Sequence, residues 1–113
     1  MALQAVVEVL AKAGDVKGAM QIGSRIQKEN YRSNVLNRIA VAQVLAGDIS
    51  SALQTTTGIG GGSRSSTLRE MARMQSEAGN IKGSLSWANN LMPKEKVFAL
   101  VGVAEGILLR QKK

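Results

Sequence analysis

Apolar residues recur along this chain at helical intervals, and the helices recur at the interval of a repeat. Leu3, Val6, Val7 and Leu10 share one helical face, as do Leu36, Ile39, Ala40 and Gln43. Leu3, Leu36, Leu68 and Leu100 lead four registers separated by 33, 32 and 32 residues. Three and four places beyond them stand Val6-Val7, Ile39-Ala40, Met71-Ala72 and Val103-Ala104. Three registers then reach a turn, Ala13-Gly14-Asp15, Ala46-Gly47-Asp48 and Ala78-Gly79-Asn80, followed by Val16, Ile49 and Ile81 and by Ala19-Met20, Ala52-Leu53 and Ser84-Leu85. Each turn glycine suits the left-handed residue that ends a helix, and each Asp or Asn after it suits the N-cap of the next.

This pattern predicts an all-α chain in which helical hairpins stack, because no single hairpin buries its own apolar face. The expected repeats span about residues 2–32, 34–64 and 66–92, with a terminal single helix at about 93–111, all in one domain over 1–113. Thr67-Leu68-Arg69-Glu70 reads as a capping box opening the third hairpin, and Pro93 as the first turn of the last helix. Thr55, Thr56, Thr57 and the glycines at 58, 60, 61 and 62 have weak helix preference, which predicts fraying from about Thr57 to Ser65. The run Gly58 to Ser66 lacks a lysine at Walker spacing and a preceding strand, so it reads as a flexible loop; the lesser alternative is a weak anion site at the amides of Thr67 to Arg69.

The columns resemble the tetratricopeptide repeat. Its first large position matches Leu3, Leu36, Leu68 and Leu100, its Leu-Gly pair Val6-Val7, Ile39-Ala40, Met71-Ala72 and Val103-Ala104, its turn glycine Gly14, Gly47 and Gly79, and its second-helix alanine Ala19, Ala52 and Ser84. The chain departs from the family where Leu10, Gln43, Gln75 and Ile107 replace the first aromatic, Gly23, Thr56 and Ala88 the second, and Tyr31, Arg64 and Lys96 the closing proline. Pentatricopeptide repeats are the nearest rival, but their longer period is not met. The resemblance implies a right-handed α-solenoid that binds partners, with the first helix of each pair lining a concave face. On that implication the face carries Gln4, Glu8 and Ala11, then Asn37, Val41 and Val44, then Arg69, Arg73 and Ser76, then Val101, Glu105 and Leu108. The implied partner-binding residues are Asn37, Val41, Arg69 and Arg73. Arg69 and Arg73, one turn apart, suit a carboxylate or phosphate, unless Arg73 pairs with Glu77 and Arg69 is solvated. Gln4, Glu8 and Glu70 spoil the family's terminal-carboxylate clamp, so the implied guest is a protein or peptide with an internal acidic-apolar stretch.

Composition narrows the chemistry. With no histidine or cysteine, the commonest general base, thiolate nucleophiles and the usual transition-metal ligands are missing. The expectation is no enzyme, no catalytic residue, no metal and no cofactor. Asp15, Asp48 and Glu70 are already explained as caps. The lack of cysteine is compatible with the cytosol. Aromatics at 3% leave an aliphatic core and no stacking platform for bases, although a net charge of +7 keeps nucleic acid as an alternative partner. The longest apolar stretch, Val97 to Leu109, contains Glu105 and is too short to span a bilayer, which predicts a soluble or peripheral chain. Trp87 reads as a half-buried packing residue. The first and last helices carry apolar residues on more than one face. Leu3, Val7, Leu100, Ile107 and Leu108 are therefore the expected self-association surface, in an oligomer or filament, unless further repeats of a longer array cover both ends.

Overall fold

The three turns are helix ends built on one plan. In the computed structural model, which describes residues 2–112 and their side chains except those of residues 2–4, 11 and 12, Gly14, Gly47 and Gly79 adopt positive φ of 91°, 84° and 103°. The next amide donates to the carbonyl five residues back: Asp15 to Leu10 at 2.8 Å, Asp48 to Gln43 at 2.9 Å and Asn80 to Gln75 at 3.0 Å. That closure satisfies carbonyls which the helix end leaves free. The side chain of the same residue then accepts from the amide of Gly18, Ser51 or Gly83, at 2.9, 3.1 and 3.0 Å. One residue thus closes one helix and caps the next.

The elements are α1 (Ala2–Lys12), α2 (Val16–Gly23), α3 (Glu29–Leu45), α4 (Ile49–Thr56), α5 (Gly61–Glu77), α6 (Ile81–Ala88) and α7 (Pro93–Gln111), with no strand among the described residues. Pro93 occupies the first turn of α7, where its missing N–H costs nothing. The hairpins are lopsided: α3 and α5 have 17 residues, whereas α2, α4 and α6 have 8.

Two expectations near the third hairpin are corrected. The glycine run does not fray through Ser65: only the residues between Thr56 and Gly61 lie outside a helix, and Gly61 to Ser65 form the start of α5. Thr67 is consequently no N-cap but a buried residue within α5, and the amides of Thr67 to Arg69 serve the helix ladder instead of an anion. The reason is packing. Ile59, Ser65 and Thr67 are all buried, and burial outweighs the weak propensity of the glycines. The first helices of the second and third hairpins start several residues before 34 and 66, at Glu29 and Gly61.

The chain divides into two compact units, Met1–Arg64 and Ser65–Lys113. In the first, α1 packs on α2 and α3, α2 on α3, and α3 on α4. Val7, Ala19, Ile26, Val35, Leu36, Ile39 and Ile59 form its core, with Leu10 and Ile22 against them. The Thr55 hydroxyl donates to Gln43 Oε1 at 2.7 Å inside the α3/α4 hairpin, and Glu8 on α1 pairs with Arg38 on α3. In the second unit Leu68, Met71, Ala72, Trp87, Ala88, Ala99 and Val103 are buried. Trp87 is more enclosed than expected, and its indole N–H donates to Gln75 Oε1 at 2.8 Å. Ser76 and Ser84 share a buried hydrogen bond of 2.8 Å in the same hairpin.

Candidate functional site

Helix α7 turns both its glycines inward and most of its larger apolar residues outward. Ala99, Gly102, Val103 and Gly106 are its buried positions. At Gly102 a Cβ would stand 2.1 Å from the carbonyl oxygen of Arg69, and at Gly106 one would stand 2.5 Å from that of Arg73. Glycine at these two positions lets the α7 backbone lie directly on that of α5. Two polar contacts flank this seam. Arg69 donates through Nε to Glu105 Oε1 at 2.8 Å and pairs through Nη2 with Oε2, while Arg110 Nη1 donates to the Glu77 carbonyl at 3.3 Å. The two-pronged hydrogen bond from Arg69, helped by the charge of Arg73, holds the Glu105 carboxyl below the usual carboxylate range, and the Arg69 guanidinium is stabilised in its charged form in turn.

On the opposite side, Val97, Val101 and Leu108 are 61, 41 and 58% exposed, and Leu100 and Phe98 lie beside them at 36 and 38%. Ala104 is exposed between Val101 and Leu108. Val97, Val101, Ala104 and Leu108 follow one another at spacings of four, three and four, so they form a straight ridge. Cations stand at its ends, Lys94 and Lys96 before it and Arg110 and Lys112 after it. Between Val97 and Leu109 the only charge is Glu105, which is turned toward Arg69.

The expected self-association residues separate accordingly. Leu100 and Leu108 lie on the outward face, and Ile107 is half-buried at its edge. Val7 is a correction: at 1% exposure it belongs to the core of the first unit, because α2 and α3 cover the face of α1 that carries it. The side chain of Leu3 lies outside the described residues. Among the described side chains of α1 the exposed large apolar residues are Val6 and Val9.

The expected groove residues are distributed between the units. Asn37 and Val41 are half-buried on α3 in the first, and Arg69 and Arg73 lie on α5 in the second. Both guanidiniums are engaged, Arg69 by Glu105 and Arg73 by Glu77 at 3.5 Å. A carboxylate ligand would therefore compete with carboxylates of the chain itself. Glu8 and Glu105, two of the implied concave positions, likewise spend their charge on Arg38 and Arg69. The residues that sequence reasoning missed are Val97, Phe98 and Ala104. The spacing of Val97, Val101, Ala104 and Leu108 was visible in the sequence, but which side of α7 faces out follows from the glycines. Among the described residues no group of three or more metal-ligating side chains converges, and no helix is long and apolar enough to cross a membrane. Comparison of the chain with family models, with curated proteins and with solved structures finds no match.

Proposed function

We propose that this chain is a non-enzymatic helical-repeat module for protein association, and that the outward face of α7 is its docking surface. The observation that carries this reading is the distribution of side chains on α7, with Ala99, Gly102, Val103 and Gly106 against the fold and Val97, Phe98, Leu100, Val101 and Leu108 toward solvent. A helix retained only for packing would present the reverse. Support for the repeat reading comes from the three identically closed turns and the single helix that follows them; on that reading the hairpins form a right-handed solenoid of tetratricopeptide type. The non-enzymatic reading draws support from how the carboxylates are used. Of eight, Asp15 and Asp48 cap helices and Glu8, Glu77 and Glu105 pair with arginines.

The test is the double variant Val101→Asp, Leu108→Asp, followed by circular dichroism on heating. A docking face predicts an unchanged helical spectrum and, in dilute solution, a melting temperature within a few degrees of the parent, since a surface substitution usually costs no more than about 0.5 kcal/mol. Loss of the cooperative transition would assign these residues to the core and end the proposal.

A further inference from the structure

We infer that the occupant of the α7 face is a second copy of this chain, its α7 running antiparallel to the first about a two-fold axis, in a closed and reversible dimer. The inference rests on the docking role proposed for α7 and names what docks there. In heptad terms Val97 and Ala104 take d positions and Val101 and Leu108 take a positions, while Ala99, Gly102, Val103 and Gly106, at b, c and f, face the chain's own fold. Antiparallel helices pair a with d. The arrangement seats Leu108 of one copy against Val97 of the other, and Val101 against Ala104, so each layer joins a larger side chain to a smaller one. The order of residues reads the same from either copy, as an isologous contact requires. Leu100 and Ile107, both at g, meet across the pair and widen the apolar seam. Reversing the direction would stack Leu108 on Leu108 and Ala104 on Ala104, leaving a gap at one layer and crowding at another.

Charge and area agree. At the ends of the antiparallel stripe Lys94 faces Gln111, and the stripe itself carries no charge. The exposed parts of these side chains come to on the order of 400 Å² per copy, within the range of functional surface patches. Two copies together hide about twice that plus a rim, the low end of specific interfaces, so exchange with monomer is expected. Each copy carries +7, and their mutual repulsion is screened by salt. Added salt should thus tighten this pair, whereas it would loosen binding to an anionic membrane or nucleic acid.

The absence of cysteine from the chain makes the register directly testable. The mass of the parent protein is measured over a concentration series at low and high salt, and single variants Val97→Cys and Leu108→Cys are oxidised separately and as an equal mixture. The expected result is a mass that rises to twice the monomer and stops, rises sooner in high salt, and a disulfide formed in the mixture far faster than in either variant alone. A mass that stays monomeric at every concentration overturns the self-pairing. If Val101→Asp, Leu108→Asp is then still folded, the docking role survives with another occupant; if that variant unfolds, both readings fall together. Rapid disulfide formation by Val97→Cys alone overturns the antiparallel arrangement, and growth beyond the dimer overturns its closure. A monomer that instead floats with vesicles of anionic phospholipid in low salt assigns the face to lipid and overturns the dimer.

Discussion

The indole N–H of Trp87 donates to the side-chain oxygen of Gln75 inside the α5/α6 hairpin, and 32 residues earlier Thr55 donates to Gln43 in the matching columns of α3/α4. The first hairpin has Leu10 and Ile22 in those columns, both packed against an apolar core. Each hairpin has therefore solved one contact in matched fashion, polar with polar or apolar with apolar. An unmatched pair should be costly, since a buried donor left alone keeps its full desolvation penalty. Gln75→Leu is expected to lose about 1–3 kcal/mol in urea denaturation. Gln75→Leu combined with Trp87→Phe should recover part of that loss, with ellipticity as the probe because the double variant lacks tryptophan. A double variant as unstable as the two single changes summed would refute the matching argument.

The contact between α5 and α7 sets a second expectation. A methyl group at Gly102 meets the Arg69 carbonyl at 2.1 Å, a distance no rotamer can relieve because both partners are backbone. Gly102→Ala should destabilise the chain by about 3 kcal/mol, the upper end of what overpacking usually costs. Gly62→Ala is the control. Nothing stands within 4 Å of a Cβ there, the residue is helical and its φ is not positive, so alanine should raise stability by about 0.5 kcal/mol. Thermal melts of the two variants moving in the same direction would contradict this account.

Legibility in the sequence followed locality. The turn glycines and the Asp15, Asp48 and Asn80 caps were readable because their chemistry is complete within a few residues. Pro93 was readable for the same reason. The start of α5 was not, since glycine propensity argues for a loop and only the burial of Ile59, Ser65 and Thr67 reverses it. Arg69 and Arg73 were legible as a pair of cations but not as occupied ones. The partner of Arg69 lies 36 residues away on α7 and is reached only because Gly102 and Gly106 bring the helices together. Val7 misled for a related reason. An apolar residue on a first helix reads as uncovered, whereas α2 and α3 close over it.

The caps carry their own test. Asn80 accepts from the Gly83 amide and, through its own amide, closes the end of α5 on the Gln75 carbonyl. Only the first bond uses the side chain. Asn80→Ala should therefore cost about 1 kcal/mol, while Asn80→Asp, which restores the residue found at 15 and 48, should be close to neutral. Equal losses in both variants would mean that the amide nitrogen of Asn80, and not its oxygen, is what the hairpin needs.

The Arg69–Glu105 bridge gives α7 an acid-sensitive attachment. Hydrogen bonding to Arg69 lowers the folded-state pKa of Glu105 below that of the unfolded chain. A group shifted in that direction stabilises the fold fully above the usual carboxylate range, and the stabilisation disappears as pH falls through the depressed folded value. Asp48, lowered by its bonds to Ser51, acts with the same sign in the first unit. Melts followed by the fluorescence of Trp87, the only tryptophan, place the probe in the second unit, and comparison with Glu105→Gln isolates the Glu105 contribution. The parent should exceed Glu105→Gln in melting temperature at neutral pH, and the two should converge in acid as Glu105 itself becomes neutral. Because the bridge is solvent-accessible, molar salt should narrow the neutral-pH gap by screening it. Parallel curves across the acid range would show that Arg69 gains nothing from the charge of Glu105, leaving Gly102 and Gly106 as the attachment of α7.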